Sequence, residues 1–557
     1  MRKCSSFTHR ALDEIRAADL DSRRRRHLLS RLDRPTHPQL VEMILADLKQ
    51  KDSRGFGSLK IHRQLLLRQL DELVSRRPQL ENETKFINIY LQKLQPQADV
   101  DWKNDPNAFE AYLSRQWDYV KHLNAAHNSL KAHVLYNWLV LNEKQGKYNK
   151  RRFLEYLALP RRANYIQPRM LETADARRHS VNLKLNPGSV TELPAIGNDK
   201  PLVRRYLLHF FQKENSFSAY LPYIQDEYAE RVFAEAKITH GLGDSENWYS
   251  LLPPAQYQAL RDRVDIDFAP TNPDVFRSND AVQLDVDVKN VDKLIVKVYE
   301  INTQNYYQQH RRAVNTDIQL DGLIANYEET HEFGDAPVIR KRRHFTFPQL
   351  QKPGVYVIDF IGNGKSSRAV IRKGTLHHLV KTTADGHLFT VFDEAGERVK
   401  DVSIWMSGQN YESEPDGTVM VPFSTSPTRQ PIVLTHDGFS SLGYFKHQAE
   451  TYSLNVATFI DRESLVQRED AVLMLRPELR LSDMPVSIGI LDNVQVTIQS
   501  TNLDGVHAEK LYEDVKLLES KDTPLVFLVP DRLASIQVTL QATITDARTK
   551  QHHVNAT

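Results

Sequence analysis

At 557 residues the chain is too long for one core, and its length points to roughly three to five domains. Hydrophobic residues at 40%, charged residues at 26% and a net charge of +2 describe an ordinary globular protein and leave no bulk electrostatic case for nucleic acid. No apolar run approaches the roughly 18 residues of a membrane span. The N-terminus MRKCSSFTHRALDEIRAADL is basic but has no apolar segment behind it. No secretory signal is visible, so the expectation is a cytoplasmic chain or a piece of a longer precursor. Cys4 is the one cysteine, so no intramolecular disulfide, zinc cluster or CxxC pair can form.

The first part, to about residue 255, reads as helical. Leu40, Ile44, Leu45 and Leu48 recur at helical spacing, as do Ile61, Leu65, Leu70, Leu73 and Val74. Further stripes run through Phe86, Ile89, Tyr90 and Leu94, and through Tyr112, Trp117, Val120 and Leu123. Leu130, Val134, Trp138 and Leu141 come next, then Phe153, Leu154 and Leu157. Pro35, Pro38, Gly55, Pro78 and Asp105-Pro106 separate them, and Asp105-Pro106 suits a cap followed by a first helical residue. No clean repeat emerges, so the prediction is an α-helical array over 1–160 and a mixed, mainly helical connecting region over 161–260.

From about Asp265 the apolar period changes to two. Val282, Leu284, Val286 and Val288 alternate with polar residues, then Leu294, Val296 and Val298. Similar runs occur at 355–361, 388–392, 419–423, 432–434, 471–475, 486–491, 494–498, 525–529 and 536–544. Asp416-Gly417, Asp437-Gly438 and Asp504-Gly505 are hairpin signals between them. The prediction is three antiparallel β-sandwiches, over 265–374, 375–450 and 451–557.

Gly364-Lys365-Ser366 sits where a phosphate-binding loop would begin, but its spacing fails. Such a loop needs a glycine five positions earlier, where this chain has Asp359, and must open a helix. Instead, Arg368-Ala369-Val370-Ile371-Arg372 continues the chain as a strand-like run. The segment is predicted to be a hairpin turn, with Gly362-Asn363-Gly364 free to adopt positive φ.

Other features also have plain readings. His377 and His378 are adjacent, so on a strand they face opposite ways and cannot share a metal. Acids flank the basic runs Arg23–Arg26 and Arg340–Arg343, and each reads as a solvated face or an interdomain ion-pair surface. Asn82-Glu83-Thr84 is a chance-level sequon. No Ser-His-Asp set, paired-carboxylate motif or HExxH is present, so no catalytic, cofactor-binding or metal-binding residue is singled out.

Several segments resemble a known family. IDFAPTNPDVFRSNDAVQLDVDVKNVDKLIVKVYEINT (266–303) resembles the opening of a macroglobulin-like β-sandwich. RHFTFPQLQKPGVYVIDFIGNGKSSRAVIRKG (343–374) resembles its closing strands, with a Pro-Gly-Val-Tyr hairpin before Ile-Arg-Lys-Gly. Residues 388–424 and 475–498 resemble further β-domains of the large bacterial relatives of alpha-2-macroglobulin. That family's Cys-Gly-Glu-Gln thioester is missing, because Cys4 is followed by Ser5-Ser6-Phe7, and no thioester domain comes after the sandwiches. The resemblance implies a fragment of a larger periplasmic or secreted protein. It would be a non-enzymatic protein-binding module engaging or inhibiting proteases, with protein partners, no nucleic acid and no cofactor. The alternative is a structural scaffold that spaces a helical interaction surface and has no protease role. An enzyme hidden in the helical half is a third reading, but nothing there assembles acid, base and nucleophile.

Overall fold

Capping chemistry and apolar stripes set the first half of the chain. The computed structural model describes residues 20–97, 100–482, 484–546 and 550–557. Its helices are α1 (Ser22–Arg31), α2 (Leu40–Leu48), α3 (Lys60–Gln64), α4 (Leu67–Arg76), α5 (Thr84–Leu94), α6 (Pro106–Val120) and α7 (Asn128–Lys144). They continue as α8 (Lys150–Leu157), α9 (Ala174–Arg178), α10 (Gly188–Thr191), α11 (Lys200–Lys213), α12 (Asp226–Thr239), α13 (Ser245–Ser250) and α14 (Pro254–Asp262). The Asp105 side chain accepts from the Asn107 N–H, and Pro106 opens α6 without sacrificing a helical hydrogen bond.

The stripes pack into successive cores. Leu28, Ile44, Ile61, Leu70, Leu73 and Phe86 belong to the first. Ile87, Trp102, Tyr112, Val134 and Leu193 belong to the second, and Leu139, Phe153, Tyr206, Phe211 and Phe233 to the third. Each fully buried leucine or phenylalanine contributes about 1.5–3 kcal/mol of transfer free energy. Ser180–Leu185 (SVNLKL), where apolar and polar residues alternate briefly, forms no strand, only a single bridge from Val181 to Arg161.

After α14 the chain turns to β-structure. Strands β1 (Asp265–Phe268), β2 (Gln283–Lys289) and β5 (Arg340–Thr346) form a three-stranded sheet in the order β1-β2-β5. It faces a four-stranded sheet ordered β4-β3-β6-β7, from β3 (Lys293–Ile301), β4 (Tyr327–Glu332), β6 (Gly354–Gly362) and β7 (Lys365–Lys373). Val286, Leu294, Val296, Ile358 and Phe360 fill the space between them.

A second pair of sheets holds β8 (His377–Thr382), β9 (His387–Phe392), β10 (Ser403–Met406), β11 (Gln409–Glu412), β12 (Thr418–Val421), β13 (Thr428–His436) and β14 (Phe439–His447). A third holds β15 (Tyr452–Ile460), β16 (Asp470–Leu481), β17 (Met484–Val486), β18 (Asp492–Asn502), β19 (His507–Tyr512), β20 (Thr523–Leu528), β21 (Leu533–Thr545) and β22 (Gln551–Ala556). The fold is therefore a helical region followed by antiparallel β-sandwiches, and its strand pairs are antiparallel.

Three local expectations differ from the structure. A helix, α15 (Thr303–His310), comes after β3, capped by the Asn302 side chain on the Asn305 N–H. Residues 486–491 are not one strand. The chain leaves β17 and makes a 3-10 turn at Ile488–Ile490, capped by Ser487 on the Gly489 N–H. Asp416-Gly417 is a turn, but it joins β11 and β12, which lie in different sheets. The hairpin signal fails there because the chain crosses the sandwich instead of returning beside itself.

Candidate functional site

The Gly364 segment is a turn in this structure. Gly362 pairs with Lys365, and Asn363 and Gly364 take φ of 47° and 77°, the two positive values of the twisted two-residue hairpin. Gly362 itself is needed for space: a Cβ there would lie 2.5 Å from Val291 Cγ1. Lys365 Nζ donates to the Val264 carbonyl at 3.2 Å, and Ser366 Oγ donates to Asp359 Oδ1 at 2.5 Å. Both side chains are spent holding β7 to its surroundings, with nothing left over for a phosphate.

The second basic run lies in a joint between the helical region and the first sandwich. Residues 340–343 open β5; Arg340 and Arg342 take their acids from β1 and β2, while Lys341 and Arg343 pair with Asp335, just before the strand. Arg340 reaches Asp267 at 3.1 Å and Asp265 and Asp287 at 3.3 Å. Arg342 donates twice to Asp287, at 2.9 and 3.0 Å. Arg263, just after α14, ties the two regions together: it grips Asp265 with two bonds of 2.8 Å and Glu235 of α12 with a third of 2.8 Å. Arg204 of α11 also binds Glu235, at 2.5 Å. Burial works against the charge on Asp265 and Glu235, but the neighbouring arginines outweigh it and hold both carboxyls below their usual range.

Lys289 at the end of β2 is buried beneath this network. Its ammonium donates to the Arg263 carbonyl at 2.6 Å and the Arg261 carbonyl at 3.3 Å. Burial lowers its pKa to about 8, although Asp265 pulls the other way. The joint is finished by Val338, which packs with Ala234, Ile238, Leu252 and Leu260.

Inside the helical region, Asp199 is the hub of a buried cluster. It accepts from Arg161 Nη1 at 2.8 Å, Tyr156 Oη at 2.7 Å and Tyr165 Oη at 2.6 Å. Arg161 is fully buried and lies over the Tyr156 ring at 3.9 Å. Every member is used up by another, so the cluster fastens the α8–α11 region without exposing a reactive group.

An open groove of about 610 Å³ is lined by Trp102, Phe109, Asn186, Gly188, Leu193 and Pro194, among others. Lys103 and Glu192 pair across it at 3.1 Å. Such a wall of two aromatics and an ion pair can take a polypeptide segment but assembles no acid, base and nucleophile.

The remaining sequence features fall in separate places. His377 and His378 alternate in exposure along β8, and His387 is buried on β9 beside Phe445 and His447. Among the described residues there is no group of three or more His, Cys, Asp or Glu able to hold a metal. Arg23–Arg26 lie on α1, where Arg26 reaches the buried Asp47 at 3.3 Å. The Asn82 side chain accepts from Asn124. Cys4 lies outside the described residues, and no described helix is long and apolar enough to cross a membrane. Sequence reasoning missed Glu235, Asp265 and Lys289. Lys289 continues the polar side of the alternation in QLDVDVK, so nothing local marks its burial, and Glu235 and Asp265 lie outside that run.

Comparison with known proteins bears on the family resemblance. Residues 2–264 match the Actin-binding protein F N-terminal domain. Residues 294–374 match the AbpF first immunoglobulin-like domain, and residues 461–557 the AbpF third immunoglobulin-like domain. All three matched models are of domains of actin-binding protein F, to which these segments are similar. Actin-binding protein F of Dictyostelium discoideum is 32% identical over 514 residues, which is 90% of this chain and 21% of that protein. The chain therefore spans about a fifth of the length of this relative.

Solved structures give only faint likeness. Alpha-2-macroglobulin from Escherichia coli, over domains MG0-NIE-MG1, is 14% identical, covers 33% of this chain and 64% of its own, and has a TM-score of 0.25. Domains A168–A170 of titin are 11% identical over 53% of this chain and 97% of theirs, with a TM-score of 0.14. Scores this low carry no argument.

The resemblance to alpha-2-macroglobulin is thus corrected, and with it the expectations of a bacterial, protease-engaging or protease-inhibiting module and of protease partners. The periplasmic or secreted setting rested on the same resemblance and loses its basis. The physical reason is plain. Alternating valines and a Gly-Val-Tyr strand entry are what any antiparallel sandwich needs to bury one face and turn tightly. They reported the fold and were silent about the family.

Proposed function

We propose that this chain is a non-catalytic actin-binding scaffold, in which the helical region makes the contact and the sandwiches set its position. The observation that carries this reading is the match of residues 2–264 to the N-terminal domain of actin-binding protein F. A passive mechanism is supported by the buried ion pairs of Asp199 with Arg161 and of Glu235 with Arg263, which consume those charges in structural pairings. In the same reading, residues 375–450, between the two matched sandwiches, form a second immunoglobulin-like unit. The pairing of a four-stranded with a three-stranded sheet there favours it. Residues 161–260 complete the helical part and connect it to the first sandwich. Sedimentation with actin filaments tests the proposal. The chain is expected to pellet with filaments saturably and to remain in the supernatant without them. A chain that stays in the supernatant at every filament concentration would refute it.

A further inference from the structure

Charge is distributed unevenly along this chain. Residues 20–97 hold 16 lysines and arginines against 9 aspartates and glutamates, a net of +7 within a chain whose total is +2. Part of that excess is concentrated at one corner of the first helical core. Arg31 ends α1, and the following loop carries Arg34 to Pro35, whose carbonyl accepts from Gln69 Nε2 at 3.0 Å. That bond draws the loop against the start of α4, where Arg68 is the second helical residue. Arg63 sits on α3, one residue beyond His62, which feels the charge of Arg26 on α1. Arg31, Arg34, Arg63 and Arg68 are all exposed and pair with no acid among the described residues. Asp33, the acid between the first two, is itself engaged. Leu66, between Arg63 and Arg68 in the chain, is 43% exposed.

Arg31 and Arg63 lie in the last turns of α1 and α3, where a cation suits the helix dipole, and Arg68 is placed the other way. A cation in the first turn of a helix opposes the helix dipole, yet α4 has Arg68 there and no acid in that turn. Four exposed guanidiniums without an acid partner, with the exposed Leu66 between two of them in sequence, suit an acidic protein surface. Each guanidinium can grip a carboxylate with two parallel bonds, and the net positive potential steers the encounter.

We infer that the corner formed by Arg31, Arg34, Arg63 and Arg68, with Leu66 between the last two in sequence, is the surface that meets the acidic side chains of the actin filament. This inference rests on the proposed actin binding. Its test is filament co-sedimentation of the full chain at low and physiological salt, comparing three forms: the unaltered protein, Arg31→Glu/Arg34→Glu/Arg63→Glu/Arg68→Glu, and a control with the same charge change on the sandwiches, Lys352→Glu/Lys400→Glu/Arg429→Glu/Lys446→Glu. All eight side chains are exposed, and circular dichroism confirms that each variant is folded. The corner variant is expected to bind at least about tenfold more weakly. The control should bind as the unaltered chain does, and the unaltered chain should weaken as salt rises. Equal binding by the corner variant, or an equal loss in the control, overturns the inference while leaving actin binding standing. Failure of the unaltered chain to pellet refutes the proposed function itself, and the inference with it.

Discussion

Asp199 and His62 show how single polar side chains are made safe in an apolar interior. Asp199 is buried with three donors aimed at one oxygen: Arg161, Tyr156 and Tyr165. Removing one partner of a buried pair leaves the other charge uncompensated, at a cost of about 3–5 kcal/mol. Asp199→Ala should therefore lower the unfolding free energy of the helical region by that amount in urea titrations, and a loss below about 1 kcal/mol would show that the cluster is not what holds α8 to α11. His62 is handled by neutrality. It stacks on Phe56 at 4.6 Å, and its Nδ1 accepts from the Gly57 N–H at 2.8 Å. Burial, helped by Arg26, lowers its pKa from 6.5 to about 4. The folded state therefore takes up this proton later than the unfolded chain, so the stabilisation is present above pH 6.5 and is lost as pH falls towards 4. The full effect amounts to about 3 kcal/mol. His62→Gln keeps an acceptor but cannot titrate, so its unfolding free energy should fall less than that of the unaltered chain between pH 7 and pH 4.5. Parallel losses in the two proteins would count against this account.

At the scale of elements, much of the fold was legible in the sequence. Leu40, Ile44 and Leu45 mark α2, and Val282 to Val288 mark β2, because one buried face per element imposes its own period. The turn at Gly364 was legible from a missing glycine and the strand after it. What escaped had a weak or masked period. In β5, RKRRHFT, the outward residues are cations held by a neighbouring strand's acids, so a strand reads as a charge run. Helix α15 begins a single residue after Ile301, with no glycine or proline break, and buries only Thr303 and Tyr307. The joint was only half legible, since Arg263 and Glu235 lie far from the run they serve, and no local pattern announces a partner contributed by another region.

Tyr307 has a consequence at this scale. It lies in a core with Tyr299, Ile301, Val355 and Val357 of the first sandwich and Val433 of β13 in the second, with Trp405 and Leu442 packed against it. Because both sandwiches bury side chains in that core, they should unfold together. Tyr307→Ala removes about 3 kcal/mol of shared packing. It should split one cooperative thermal transition into two in calorimetry. A single transition, merely shifted, would mean that the sandwiches couple elsewhere.

On the scale of the whole molecule, two kinds of contact join the regions. A shared apolar core links the first sandwich to the second. A network of buried and half-buried ion pairs links the first sandwich to the helices through Arg263, Glu235, Asp265 and Arg340. Oriented pairs of this kind fix geometry more than they add stability, because desolvation consumes much of the attraction. A helical region fixed on a sandwich stalk is the arrangement a binding scaffold needs. The measurement that tests the account most directly is an electron cryomicroscopy reconstruction of actin filaments decorated with this chain. The account predicts density for the helical region against the filament, with the sandwiches projecting away. Undecorated filaments, or sandwiches seated on the filament with the helical region free, would contradict it.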